Sequence, residues 1–124
     1  MEEKKLSCSC NEIVAKVVLS CSGQSDLGEL SDVVARKIRN EGIRTMKCLA
    51  QVAIDNKALI ESIKSSNLLV IDGCPVDCAR KISENAGFTG FHHFRLTDHG
   101  FVKNNTPVNE QNINAACEIA KTYV

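Results

Sequence analysis

The segment Leu68-Leu69-Val70-Ile71 constrains this chain most: four consecutive apolar residues closed by Asp72-Gly73-Cys74-Pro75. An unbroken apolar run, rather than an alternating one, suits a strand covered on both faces, as in the middle of a parallel sheet. A second such run spans residues 13–20 and ends at Cys21-Ser22-Gly23. Shorter strands are expected over residues 43–46 and 91–96. Helical patterns lie between them. Residues 27–40 place Leu27, Leu30, Val33, Val34 and Ile38 on one face. Asp26 and Glu29 have capping-box-like spacing ahead of that face. Gly42 stands where a helix-ending glycine belongs. Residues 49–65 read as helical with a break near Asp55-Asn56. The next helix has Cys74 as its N-cap and Pro75 in its first turn, turns Ala79, Ile82 and Ala86 inward, and ends at Gly87. After a turn at Asp98-His99-Gly100, a last helix over residues 108–123 buries Ile113, Ala116, Cys117 and Ala120.

Four strands alternating with helices imply crossover connections, and each crossover helix must pack back on the sheet. The expected fold is a small three-layer, doubly wound α/β domain with a mostly parallel four-stranded sheet and helices on both faces; flavodoxin-like precedents suggest strand order 2-1-3-4. The chain has 124 residues, enough to bury a core unaided. Residues 1–11 are expected to form a polar N-terminal tail carrying Cys8 and Cys10, and residues 12–124 one domain.

Composition removes several classes of function. Fifteen Lys+Arg balance fifteen Asp+Glu, and aromatics are 4% with no Trp. That balance argues against nucleic acid as a partner, by steering or by stacking. No apolar run approaches the roughly 20 residues that span a bilayer. The start, Met1-Glu2-Glu3-Lys4-Lys5, lacks the apolar stretch of a secretory signal, so a cytoplasmic protein is expected. Seven cysteines are an awkward number for a disulfide framework, and in a reducing compartment clustered cysteines serve metals or redox chemistry.

Placed on the strand frame, the cysteines sort themselves. Cys21, Cys48 and Cys74 each follow an expected strand, at intervals of 27 and 26 residues, about one βα unit. Parallel strands end on one edge of the sheet, where open α/β sheets bind ligands. Cys78 lies on the first helical turn after Cys74. Four converging thiolates suit a closed tetrahedral Zn²⁺ site, and Lys47, Arg80 and Lys81 stand beside them in sequence to offset its negative charge. Cys117, on an apolar helix face, reads as core.

Ser20-Cys21-Ser22-Gly23, Met46-Lys47-Cys48-Leu49-Ala50 and above all Ile71-Asp72-Gly73-Cys74-Pro75-Val76-Asp77-Cys78-Ala79-Arg80-Lys81 resemble the DGC-domain family, named for its Asp-Gly-Cys motif and described as zinc-binding. The resemblance covers nearly the whole chain. It implies that Cys21, Cys48, Cys74 and Cys78 are the zinc ligands, the same four that spacing selects.

Other readings use the same residues. Thiols near helix N-termini suit thiol redox or sulfur transfer, with Cys74 and Cys78 forming a disulfide that exchanges with Cys8 or Cys10. Four cysteines also suit an iron ion or a small Fe–S cluster. His99, just past the fourth strand, is a lesser ligand candidate. His92 and His93 fall on opposite faces of a strand, so at most one points inward. Asp72 and Asp77 read as helix-capping groups. Phosphate chemistry fails on residues. Leu27 stands where a cysteine-based phosphatase needs arginine, and residues 22–28 lack the Gly-Lys-Ser/Thr of a nucleotide loop.

Overall fold

The structure, a computed structural model, describes residues 14–124. Strands β1 (Lys16–Ser20), β2 (Thr45–Met46), β3 (Asn67–Asp72) and β4 (His92–Arg95) form one parallel sheet in the order β2-β1-β3-β4. Among the described residues, five α-helices connect and cover it: α1 (Asp26–Asn40), α2 (Leu49–Ala53), α3 (Lys57–Lys64), α4 (Cys78–Asn85) and α5 (Glu110–Ala120). The expected α/β architecture and strand order are both present.

Period-two alternation splits the apolar strands between two cores. Val18, Leu69, Ile71 and Phe94 face α1 and α5, meeting Leu27, Leu30, Val34, Ile38, Ala116 and Cys117. Val17, Leu19, Leu68 and Val70 face the other side, against Val52, Ile60, Ile63 and Ala79. Covering on both faces explains why β1 and β3 are continuous apolar runs. The connection from β1 runs to one side of the sheet and that from β3 to the other, so the chain changes direction between these two adjacent strands. In doubly wound sheets the crevice outside such a switch point is the usual ligand site.

Several local expectations need correction. The N-cap of α1 is Ser25, whose hydroxyl accepts the Gly28 N–H at 3.2 Å; Asp26 is the first helical residue. The helical stretch at 49–65 does break, into α2 and α3, with Asp55 in left-handed backbone at φ 65° and Asn56 capping α3. Helix α4 begins later than expected. Pro75 lies in the turn before it, and the N-cap is Asp77 rather than Cys74. Asp77 is left-handed at φ 56°, a conformation that Asp tolerates better than most residues. Leu96–His99 form a 3-10 turn ended by Gly100 at φ 89°.

Candidate metal centre

All four candidate cysteines stand at the carboxyl edge of the sheet. Cys21 directly follows β1 and its N–H donates to the Ile71 carbonyl at 2.9 Å. Cys48 lies two residues past β2 and is the N-cap residue of α2. Cys74 lies two residues past β3, and Cys78 opens α4. Cys21 and Cys74 are half-buried; Cys48 and Cys78 are exposed. Cys117 is buried in the core, as expected. Cys8 and Cys10 lie outside the described residues.

Close approach of two loops at the switch point depends on glycine. A Cβ on Gly73 would come within 2.8 Å of the Leu27 backbone, and one on Gly28 would collide with the backbone of Gly23. Gly73 is thus required by contact between the β3–α4 loop and the first turn of α1.

The candidate sulfurs meet opposing influences. Cys21 Sγ accepts the Gly23 N–H at 3.4 Å. Burial pushes the Cys21 thiol above its ordinary value. The Gly23 and Gly73 amides oppose that rise, while Asp72 and Cys78 add to it. Lys103, on the loop after β4, brings its Nζ to 3.9 Å from Cys74 Sγ. Sequence proximity suggested Lys47, Arg80 and Lys81 as the balancing cations. Lys103 is the cation found against a candidate sulfur, and Arg80 is instead paired with Asp77 and Glu84. Cysteine sulfur beside an ammonium and backbone N–H donors is donor chemistry of the kind a soft or borderline cation such as Zn²⁺ takes.

Beneath the cysteines lies a polar network that spacing did not reveal. Asp72, 1% exposed, accepts the Ala79 N–H at 2.8 Å and the Arg80 N–H at 3.0 Å. Its second oxygen also lies 2.9 Å from His93 Nε2. Asp77 is gripped by the guanidinium fork of Arg95, with Nε to Oδ1 at 2.8 Å, and by Arg80 at 2.9 Å. The Arg95 hydrogen bond holds the Asp77 carboxyl below the usual carboxylate range. Among the described residues, Asp72, Asp77 and His93 form the group of three potential ligands whose donor atoms all lie within 4.8 Å of one another; the four cysteine sulfurs are not gathered that tightly. Capping was the expected role of both aspartates. Asp72 does cap α4, from seven residues upstream. Asp77 is the N-cap by backbone position, but its side chain makes no capping bond and serves Arg95 instead. The available signal was the pair His93 and Arg95, two apart on a strand and therefore on one face. His92 stacks near Tyr123, and exposed His99 lies edge-on to Phe94, so neither joins the network.

A family model described as the DGC domain matches residues 17–120. The Anaerobic and virulence modulator AnvM of Pseudomonas aeruginosa is 28% identical over 88 residues, covering 70% of this chain and 67% of that protein. No solved structure matches the chain.

Proposed function

The chain belongs to the DGC-domain family, and from that premise we propose that it is a zinc-binding module whose ligands are Cys21, Cys48, Cys74 and Cys78. One observation carries the reading: three successive βα junctions and the start of α4 each bring a cysteine to the same edge of a parallel sheet. That edge is the ligand side of doubly wound folds. When bound, zinc would hold four thiolates in a closed shell with no open position for water or substrate. Such a site suits binding or regulation better than catalysis. The Pseudomonas relative is named as a modulator, and a modulatory role for this chain accords with a closed site. Backbone N–H groups at Cys21 and the Lys103 ammonium at Cys74 would offset the anionic sulfurs.

Metal analysis of the purified chain tests the proposal. The expected result is one zinc per chain, lost in the double variant Cys74→Ser, Cys78→Ser. Neither residue belongs to the apolar clusters, so the variant should keep its fold and report on the site. Metal content unchanged by that substitution would sink the assignment. A coloured protein with iron in place of zinc would redirect it to iron or an Fe–S cluster. Rapid alkylation of Cys74 and Cys78 in native metal-free protein, with no change on adding zinc, would favour thiol redox or sulfur transfer.

A further inference from the structure

Building on the zinc reading, we infer that the loop carrying Cys74 and Cys78 is held in place by β4 rather than by the metal. Zinc then binds a loop that keeps its course without the metal and exchanges from it without unfolding the chain, and His93 and Arg95 are the positioning residues.

Two carboxylates fix the loop at both ends. Asp72 closes β3 and accepts the Ala79 and Arg80 amides of α4, so one side chain ties the strand end to the helix start across residues 73–78. His93 holds the same carboxylate from β4. Asp77, 2% exposed and left-handed, sits immediately before Cys78 and is locked by Arg95 and Arg80. A planar fork on a carboxylate fixes direction as well as distance. Ala79, the residue after Cys78, is fully buried in the second core. Cys78 is therefore flanked by a clamped residue and an anchored one.

Both aspartates of this network already have partners. Arg80 and Arg95 pair with Asp77 and reach on to Glu84 and Asp98. Asp72 is saturated by two amides and an imidazole, and Asp77 by two guanidinium groups. A dication placed among Asp72, Asp77 and His93 would have to displace those donors, so the cluster is a clamp and not a second metal site. Burying such groups is tolerated because each has a partner.

Neither core depends on the metal ligands for its burial. Cys48, Cys74 and Cys78 lie outside both apolar clusters, and Cys21 only packs against the edge of one. Small zinc domains whose metal builds the fold unfold on chelation. Here two apolar layers and a hydrogen-bonded clamp already specify the loop. A site of that kind responds to metal supply by filling and emptying.

The experiment uses the full chain, loaded with zinc or stripped with a chelator. Thermal melting followed by circular dichroism reads the fold, and competition with a chromophoric chelator reads zinc affinity. The stripped wild type should keep its spectrum and a cooperative transition. Arg95→Met should also stay folded but bind zinc at least tenfold more weakly, with Arg95→Lys recovering part of the loss. Should Arg95→Met fail to fold, Asp77→Asn, nearly isosteric and tolerant of left-handed backbone, is expected to show the same weakening. The inference is overturned if the stripped wild type unfolds, or if the folded clamp variant binds zinc as tightly as wild type. A wild type that binds no zinc at all removes the zinc reading and this inference together. Unfolding on zinc removal removes this inference alone.

Discussion

Gly73 is the residue at which the candidate site and the fold make the same demand. It lies between a strand-end carboxylate and a candidate ligand, and a methyl group there would stand 2.8 Å from the Leu27 backbone. That neighbour is main chain at the start of α1, with no flexible side chain to swing away. Gly73→Ala should therefore destabilise the protein by about 1–3 kcal/mol, the usual range for overpacking a closed contact. It should also weaken zinc binding, because the β1–α1 and β3–α4 loops carry Cys21 and Cys74. Urea unfolding and chelator competition on the same variant measure both effects. Cys117 makes the opposite demand: its sulfur is buried among apolar side chains, so Cys117→Val should leave zinc content unchanged.

At the level of elements, the long segment between β4 and α5 is tied down by the start of α1. Asp26 accepts the Asn104 N–H at 2.9 Å and the Thr106 N–H at 3.0 Å. The Thr106 hydroxyl in turn accepts the Val102 N–H and donates to its carbonyl. This latch holds the stretch that carries Lys103 toward Cys74. The Asn104 and Thr106 amides favour the ionised form of Asp26 and lower its titration point. A carboxyl lowered on folding contributes stability that is complete above its unfolded value, about 3.9, and is lost as pH falls through the folded value. Stability measured by urea midpoint should thus fall between pH 5 and pH 3. Asp26→Asn should be less stable than wild type at pH 5 and lose less on acidification. Equal slopes for the two proteins would remove Asp26 from the account.

On the scale of the whole molecule, one buried guanidinium joins the far edge of the sheet to the chain's last residues. Arg44 is 4% exposed. It donates to the carbonyls of Val17 at 3.1 Å, Asn67 at 2.8 Å and Tyr123 at 3.0 Å. Asn67 adds a bond from its side-chain amide to the Val124 carbonyl at 2.8 Å. Arg44→Met would leave three carbonyls without their charged donor, and unpaired buried groups are costly. The expected loss is about 2–4 kcal/mol on that basis, seen as a lower urea midpoint. Because this edge is opposite the cysteines, zinc stoichiometry should be preserved.

Much of this molecule was legible in short stretches of chain. The runs at β1 and β3 are apolar because both faces are covered, and that requirement alone implies a parallel sheet between helices. The one-per-unit spacing of Cys21, Cys48 and Cys74 implies a shared edge once the strands are parallel. The start of α4 is not legible in the chain because Pro75 suits a first helical turn as readily as the turn before one; the Ala79 N–H donates to Asp72 across the loop and marks it.

The sequence by itself determined the strand–helix alternation and the edge to which the cysteines come, because each follows from periodicity or from chain direction; the strand order rested on flavodoxin-like precedent. Only the tertiary structure decided that β4 clamps the cysteine loop, that Lys103 faces Cys74 and that Arg44 closes the opposite edge. These are single polar contacts between residues 18 to 79 positions apart. A lone long-range pair leaves no periodic trace in the chain, and its partners become identifiable when packing brings them within hydrogen-bond reach.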